Sequence, residues 1–235
     1  MKKYQIVISF IIIVFSTFSC KDKTPTRKAE TQKENFIKKD SIKSDTLFQT
    51  EETEQTEKTF KKYSSKYLKL ENASVNHHKI ILSPKEFHKI YTKIDSTKTE
   101  LWECGNPFDW LDKDWMTTKY GSVNGDIGSY KNFDGKITTF FSKEIEFDTN
   151  NHIVLFNSAS AKKNSFQIPS HQINLDSNTT IEEFRKIFPD AELEKLEKPN
   201  EFRFRFYLDH KVDDAFLFYF KNGKLDYFTL WWLLC

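Results

Sequence analysis

Glu201-Phe202-Arg203-Phe204-Arg205-Phe206-Tyr207-Leu208 decides the fold class. Its alternation is strict. Phe202, Phe204, Phe206 and Leu208 fall on one face of a strand, and Glu201, Arg203 and Arg205 on the other. Residues 215–220 repeat the strand composition. Lys221-Asn222-Gly223 then supplies a tight turn of the Asn-Gly kind, and residues 224–234 run back. The end of the chain reads as a three-stranded antiparallel meander.

Working upstream, Thr179-Thr180-Ile181-Glu182 reads as a capped helix start. Ile181, Phe184, Ile187 and Phe188 form its apolar stripe, and Pro189 stops it. Strands are expected at 135–142, 144–148 and 152–157, with Asn150-Asn151 as a turn, and weaker ones at 165–168 and 172–175. Ser83-Pro84-Lys85-Glu86 opens an earlier helix, with a serine cap, a proline in the first turn and a glutamate three residues after the cap. Phe87, Ile90, Tyr91 and Ile94 make its buried face. Strands are expected at 79–82 and 99–104, and Gly105-Asn106-Pro107 breaks the second. Residues 108–116 are ambiguous, with a short helix as one reading, and 120–134 read as loop. The predicted fold is α+β: a largely antiparallel β-sheet of meander hairpins packed with two main helices.

Two echoes stand out. Glu86-Phe87-His88-Lys89-Ile90-Tyr91 matches Glu183-Phe184-Arg185-Lys186-Ile187-Phe188. Phe133-Asp134-Gly135-Lys136-Ile137 matches Lys221-Asn222-Gly223-Lys224-Leu225. Their common order suggests a tandem helix-plus-meander repeat. The competing reading is that amphipathic helices and hairpin turns reuse the same residue types. A helix followed by an antiparallel meander is similar in pattern to the small lipoproteins of the outer-membrane assembly machinery and to the tandem-repeat β-lactamase inhibitor fold.

The start of the chain carries a different signal. Lys2 and Lys3 precede an uncharged apolar run that ends at Ser19-Cys20. This has the charge pattern of a secretory signal, and it is shorter than the ~20 residues that span a bilayer. Thr17-Phe18-Ser19-Cys20 resembles the lipobox of bacterial lipoproteins, with the small Ser19 in place and Thr17 and Phe18 departing from the usual residues. The resemblance implies cleavage before Cys20, lipidation of Cys20 by a diacylglycerol (palmitate-type) anchor, and residence in the cell envelope. Two acyl chains anchor firmly where one does so marginally. Lys21-Asp22 is similar to the mixed-charge tag that sends some lipoproteins to the cell surface.

The expected organisation is a signal peptide over 1–19, a lipidated N-terminus and disordered tether over 20–62, and an α+β globular domain over 63–235. The tether is rich in Lys, Glu, Thr, Ser and Gln and lacks apolar periodicity, so it cannot offset its ordering entropy. Loss of Lys2 and Lys3 lowers the 36 basic residues to 34, equal to the 34 acidic ones. A neutral mature chain has no electrostatic footprint for nucleic acid. The chain holds 23 Phe, 9 Tyr and 5 Trp, a composition that favours strands.

Recognisable chemistry is sparse. No Gly-x-Ser-x-Gly elbow, nucleotide-binding glycine loop or Cys-x-x-Cys spacing occurs, and the histidines are scattered. No catalytic residue, metal ligand or cofactor is assigned. Asn106, Asp109, Asp112 and Asp114 are oxygen-rich but lack the glycine and distal glutamate of a calcium loop. Cys104 and Cys235 are a candidate disulfide in an exported protein, or two separate thiols in the apolar company of Trp102 and Trp232. Trp110, Trp115, Trp231 and Trp232 are the candidate contact surface. Trp231 and Trp232 are strand neighbours and cannot share a face, so one is expected to be buried and the other either to face a covering helix or to be exposed as a contact. Two function classes follow: a non-catalytic binding or scaffolding module with an envelope protein partner, and an envelope enzyme of hydrolase type with an unrecognised site.

Overall fold

The structure is a computed structural model that describes residues 61–124 and 129–234. The signal stretch, Cys20, the tether up to residue 60 and Cys235 lie outside these. Strands β1 (Ser74–Val75), β2 (His78–Lys79) and β3 (Ile81–Leu82) lead into helix α1 (Pro84–Ile90) and strand β4 (Ser96–Leu101). An excursion then carries α2 (Phe108–Leu111), α3 (Lys113–Tyr120) and the hairpin β5 (Val123–Asn124) with β6 (Ser129–Tyr130). Strands β7 (Lys136–Ser142), β8 (Ile145–Thr149) and β9 (Val154–Ser160) follow, then β10 (Phe166–Ile168) and β11 (Ile173–Leu175). Helix α4 (Ile181–Ile187) precedes β12 (Glu192–Lys195), β13 (Glu201–Tyr207), β14 (Ala215–Lys221) and β15 (Lys224–Trp231).

The architecture is mostly antiparallel sheet with four helices. A nine-stranded sheet runs β12-β13-β14-β15-β9-β8-β7-β4, with β3 also paired to β9. The second sheet, β11-β10-β1-β2, has four strands. Phenylalanine periodicity explains the assembly. Phe204 and Phe206 of β13, Phe216, Phe218 and Phe220 of β14 and Phe228 of β15 are all buried. α4 covers them through Phe184, whose ring lies 4.6 Å from Phe204 and 5.1 Å from Phe220. β10 contributes Phe166, 4.9 Å from Phe218 and 5.6 Å from Phe228. α1 covers the other half of the sheet through Phe87, 5.1 Å from Phe140 and 5.0 Å from Phe147. Burying each such ring is worth roughly 1.5 to 3 kcal/mol.

The halves on either side of the β9·β15 junction share a topology. Each has a helix followed by four antiparallel strands in sequence order, and the last strands of the two meet in the middle. Both helices open with a capping box, Ser83 with Glu86 and Thr180 with Glu183. In both, the residues just before the helix pair with the last strand of the meander, Leu82 with Val154 and Thr180 with Lys224. Each last strand also carries an extra residue that interrupts the register, Asn157 in β9 and Asp226 in β15.

Several expectations shift. The cap of α4 is Thr180, one residue later than the run beginning at Thr179 suggests. The strand expected at 99–104 runs from Ser96 to Leu101, because its pairing with β7 sets its limits. The terminal meander has four strands. β12 is missed because Glu-Leu-Glu-Lys is a poor strand sequence, held by pairing with β13. Residues 108–120, ambiguous in sequence, hold two short helices, so the described residues contain four. The second echo also separates: Gly135 precedes β7, whereas Asn222-Gly223 is the β14–β15 turn, with φ of 51° and 81°. Among the described residues no helix is long and apolar enough to cross a membrane.

Candidate binding surface

The face of the nine-stranded sheet opposite the phenylalanines is polar and aromatic. Strand alternation dictates this: Arg203, Arg205 and Tyr207 of β13 alternate with the buried Phe204 and Phe206. Opposite Arg203 stands Tyr219, opposite Tyr219 stands Tyr227, and opposite Leu217 stands Thr229. The Tyr219 and Tyr227 rings stack 4.2 Å apart and 9° from parallel. Burial first, and then Tyr219 beside it, pushes the Tyr227 hydroxyl up to about 12, so it stays protonated.

A charged clamp closes one side of this face. Glu194 of β12 accepts from Arg205 Nε at 2.9 Å and from Arg203 Nε at 2.9 Å, with a second, shorter bond from the Arg203 guanidinium. Burial alone would raise the Glu194 carboxyl, but the two guanidiniums outweigh it and hold it below the usual range. The Arg205 guanidinium lies 5.3 Å over the Trp231 ring and 5.6 Å from that of Tyr207. Both arginines are thereby fixed as planar surfaces, not mobile cations.

Across the junction the same face sinks into a depression of about 720 Å³. Asn157, Ser158, Ser160 and Thr229 line it together with Phe141 and Tyr227, and Asp95, Glu144, Glu146 and Asp226 bring four carboxylates to it. Glu144 is paired with Lys163 at 2.6 Å, and Asp95 accepts from the Lys143 backbone at 2.8 Å. Asp148 is buried on this face. It accepts from Thr139 Oγ1 at 2.6 Å and Asn157 Nδ2 at 2.7 Å. Burial still pushes its carboxyl up to about 6.

Of the four candidate tryptophans, Trp110 and Trp232 meet, and Trp115 and Trp231 each pack on another side chain. Trp110 is 47% exposed and meets Trp232 edge to face at 5.6 Å. Trp115 lies flat on His152 at 4.6 Å. Trp231 sits under Arg205 on the polar face. Trp231 and Trp232 are both half-buried, so neither is the fully buried one that was expected; Trp232 packs on Trp110 of helix α2 and Trp231 lies under Arg205. Cys104 is exposed and disulfide-bonded, which replaces the reading of an inert apolar thiol.

Two groups escaped sequence reasoning. His152, scattered in sequence, is joined by its Nδ1 to Asp112 at 2.9 Å, and Asn150 Nδ2 donates to the same carboxylate oxygen. These contacts seat α3 on the β8–β9 turn. The depression itself is assembled from β7, β8, β9 and β15, and no local motif announces it. Among the described residues no His, Cys, Asp and Glu group is arranged to hold a metal, and no buried polar side-chain atom lacks a partner. The chain matches no family model, and no curated protein or solved structure was found similar to it.

Proposed function

We propose that this protein is a lipid-anchored cell-envelope module that acts by binding, and that the depression on the polar face of the nine-stranded sheet receives a basic, extended segment of an envelope protein. Cys20 at the end of the signal core supports the anchor, and the polar composition of 20–62 supports a tether long enough to reach a partner. The observation that carries the binding reading is the depression itself, lined by two aromatic rings, by Ser, Thr and Asn side chains and by four carboxylates. Lysine and arginine side chains would find charge at its rim and a ring face in Tyr227.

The common topology of the two halves, their paired capping boxes and their matching register interruptions support an origin as a tandem repeat. Cys235 is the proposed partner of Cys104. The contact of Trp232, three residues before Cys235, with Trp110, six residues after Cys104, supports this pairing.

The test uses the full chain and short labelled peptides that differ only in carrying lysine or glutamate. Binding of the lysine peptide, lost on Glu146→Lys or Tyr227→Ala with thermal stability unchanged, is the expected result. Equal binding of both peptides, or binding that survives both substitutions, rejects the site. Turnover of an ester, peptide or glycan substrate abolished by one acidic or histidine substitution would replace binding by catalysis.

A further inference from the structure

Strand β4 ends the nine-stranded sheet, and all six of its residues, Ser96-Thr97-Lys98-Thr99-Glu100-Leu101, are exposed. Leu101 is 57% exposed. An edge of this kind leaves a row of unpaired backbone groups, a template for another strand.

Which groups are unpaired follows from the ladder. Trp102 N donates to Gly135 O at 2.9 Å, and β4 pairs with β7 in the matching register, Leu101 with Lys136 and Ser96 with Phe141. Antiparallel hydrogen-bonded pairs alternate, so 96, 98, 100 and 102 direct their N–H and C=O groups at β7. Thr97, Thr99 and Leu101 direct theirs to the open edge. The 2.8 Å contact between the Thr99 and Thr138 hydroxyls fits this parity, since side chains approach most closely in non-hydrogen-bonded pairs.

Two copies meeting at this edge about a twofold axis can bond only through 97, 99 and 101. The axis can then pass opposite any residue from 97 to 101, and the central three, 98, 99 and 100, keep more than one bonded pair. At 98 two lysines face each other, and at 100 two glutamates do. At 99 each Lys98 faces the partner subunit's Glu100 in a close, non-hydrogen-bonded pair. That register also keeps the most bonds, roughly six along the edge. Lys98 and Glu100 already lie on one face, 2.7 Å apart within their own strand. They are therefore placed to exchange that contact for two across the interface. Leu101 would lie opposite the partner subunit's Thr97 and lose part of its exposure.

We infer that β4 is a self-association edge: two copies of this chain pair antiparallel with Thr99 on the twofold axis, joining their sheets into one. A lone Lys98 would only blunt the edge, and it is Glu100 two residues on that makes it self-complementary. This inference does not depend on the depression or its ligand.

Cysteine cross-linking of the full chain in its membrane tests the register. Thr99→Cys should give a disulfide-linked dimer on a non-reducing gel, because paired Cα atoms about 5.5 Å apart lie within disulfide reach. Thr97→Cys should give at least tenfold less, since its two copies stand roughly 13 Å apart along the strands. Co-expression of differently tagged chains tests the charges. Lys98→Glu and Glu100→Lys should each lower self-capture by roughly tenfold. A mixture of one with the other should restore it, because every facing pair is again opposite in sign. Equal cross-linking at 97 and 99, capture indifferent to both reversals, or a wild-type chain that stays monomeric overturns the inference.

Discussion

In the first half of the sheet α1 is followed by β4, and residues 102–135 intervene before β7 resumes. In the second half α4 is followed by β12, and only residues 196–200 intervene before β13. The frame is otherwise matched, down to the capping boxes and the register interruptions at Asn157 and Asp226. The halves also differ at their edges. β12 is clamped by Arg203 and Arg205 on Glu194, whereas β4 is exposed along its whole length. A hydrophobic face with a helix over it specifies the frame. Both β12 and β4 end the sheet, but the excursion and the unclamped edge belong to the first half alone, so what distinguishes this molecule lies where the two halves disagree.

The largest test of that contrast is the disulfide at Cys104, which ties the excursion of the first half. If Cys235 is its partner, the bond joins the excursion to the end of the second half. Cys104→Ser and Cys235→Ser should then each cost about 4 to 5 kcal/mol in the chain-entropy account of so long a loop. Urea unfolding without reductant measures the loss, and peptide mapping identifies the bond. A Cys235→Ser chain that keeps Cys104 oxidised breaks the proposed link.

The helices give the next test. Phe184 meets five phenylalanines, at 188, 204, 206, 218 and 220. Phe87 meets Phe140, Phe147, Tyr91 and His88. Both are fully buried. Substitution by alanine should cost roughly 3 to 5 kcal/mol at either site, with Phe184→Ala the more damaging. A larger loss at Phe87 would show that the first half, despite its excursion, is the better packed.

A smaller difference concerns charge inside the sheet. Asp148 follows Phe147 and is buried, while Lys221 follows Phe220 and is exposed. Burial raises the Asp148 carboxyl from 3.8 to about 6, so the folded protein holds a proton that the unfolded chain has released. The stabilisation from that proton is complete below about pH 4 and is lost as pH rises through 6, a swing of roughly 2 to 3 kcal/mol. Urea midpoints between pH 4 and 7 should fall for the wild type relative to Asp148→Asn. Parallel curves for the two proteins would mean that Thr139 and Asn157 already hold the carboxylate ionised.

Much of the frame was legible. Period-two alternation at 202–208, the Asn222-Gly223 turn and the capped helix starts, at Ser83 and within one residue of Thr180, are local signals, and each is kept because burial reinforces it. The Phe87 and Phe184 echo marked helices in equivalent places. The echo at Gly135 and Asn222-Gly223 did not, because a glycine turn records backbone conformation and not position in a sheet. The side chains that the tryptophans meet were not legible. Trp115 on His152, Trp110 on Trp232 and Arg205 on Trp231 are pairings between distant segments, and residue type alone carries no information about them.

By itself the sequence determined where α1 and α4 begin, to within a residue, together with the inward phenylalanine faces and the antiparallel meanders, since these rest on contacts within a few residues or on strand period. Only the tertiary structure decided that the two meanders join at β9 and β15, that β12 is a strand, that Asp112 meets His152, and that β4 is left at an edge. Those outcomes depend on which residues far apart in the chain share a ladder or a face. Such choices are set by the closure of the whole sheet over its phenylalanine core, a property that no short stretch encodes.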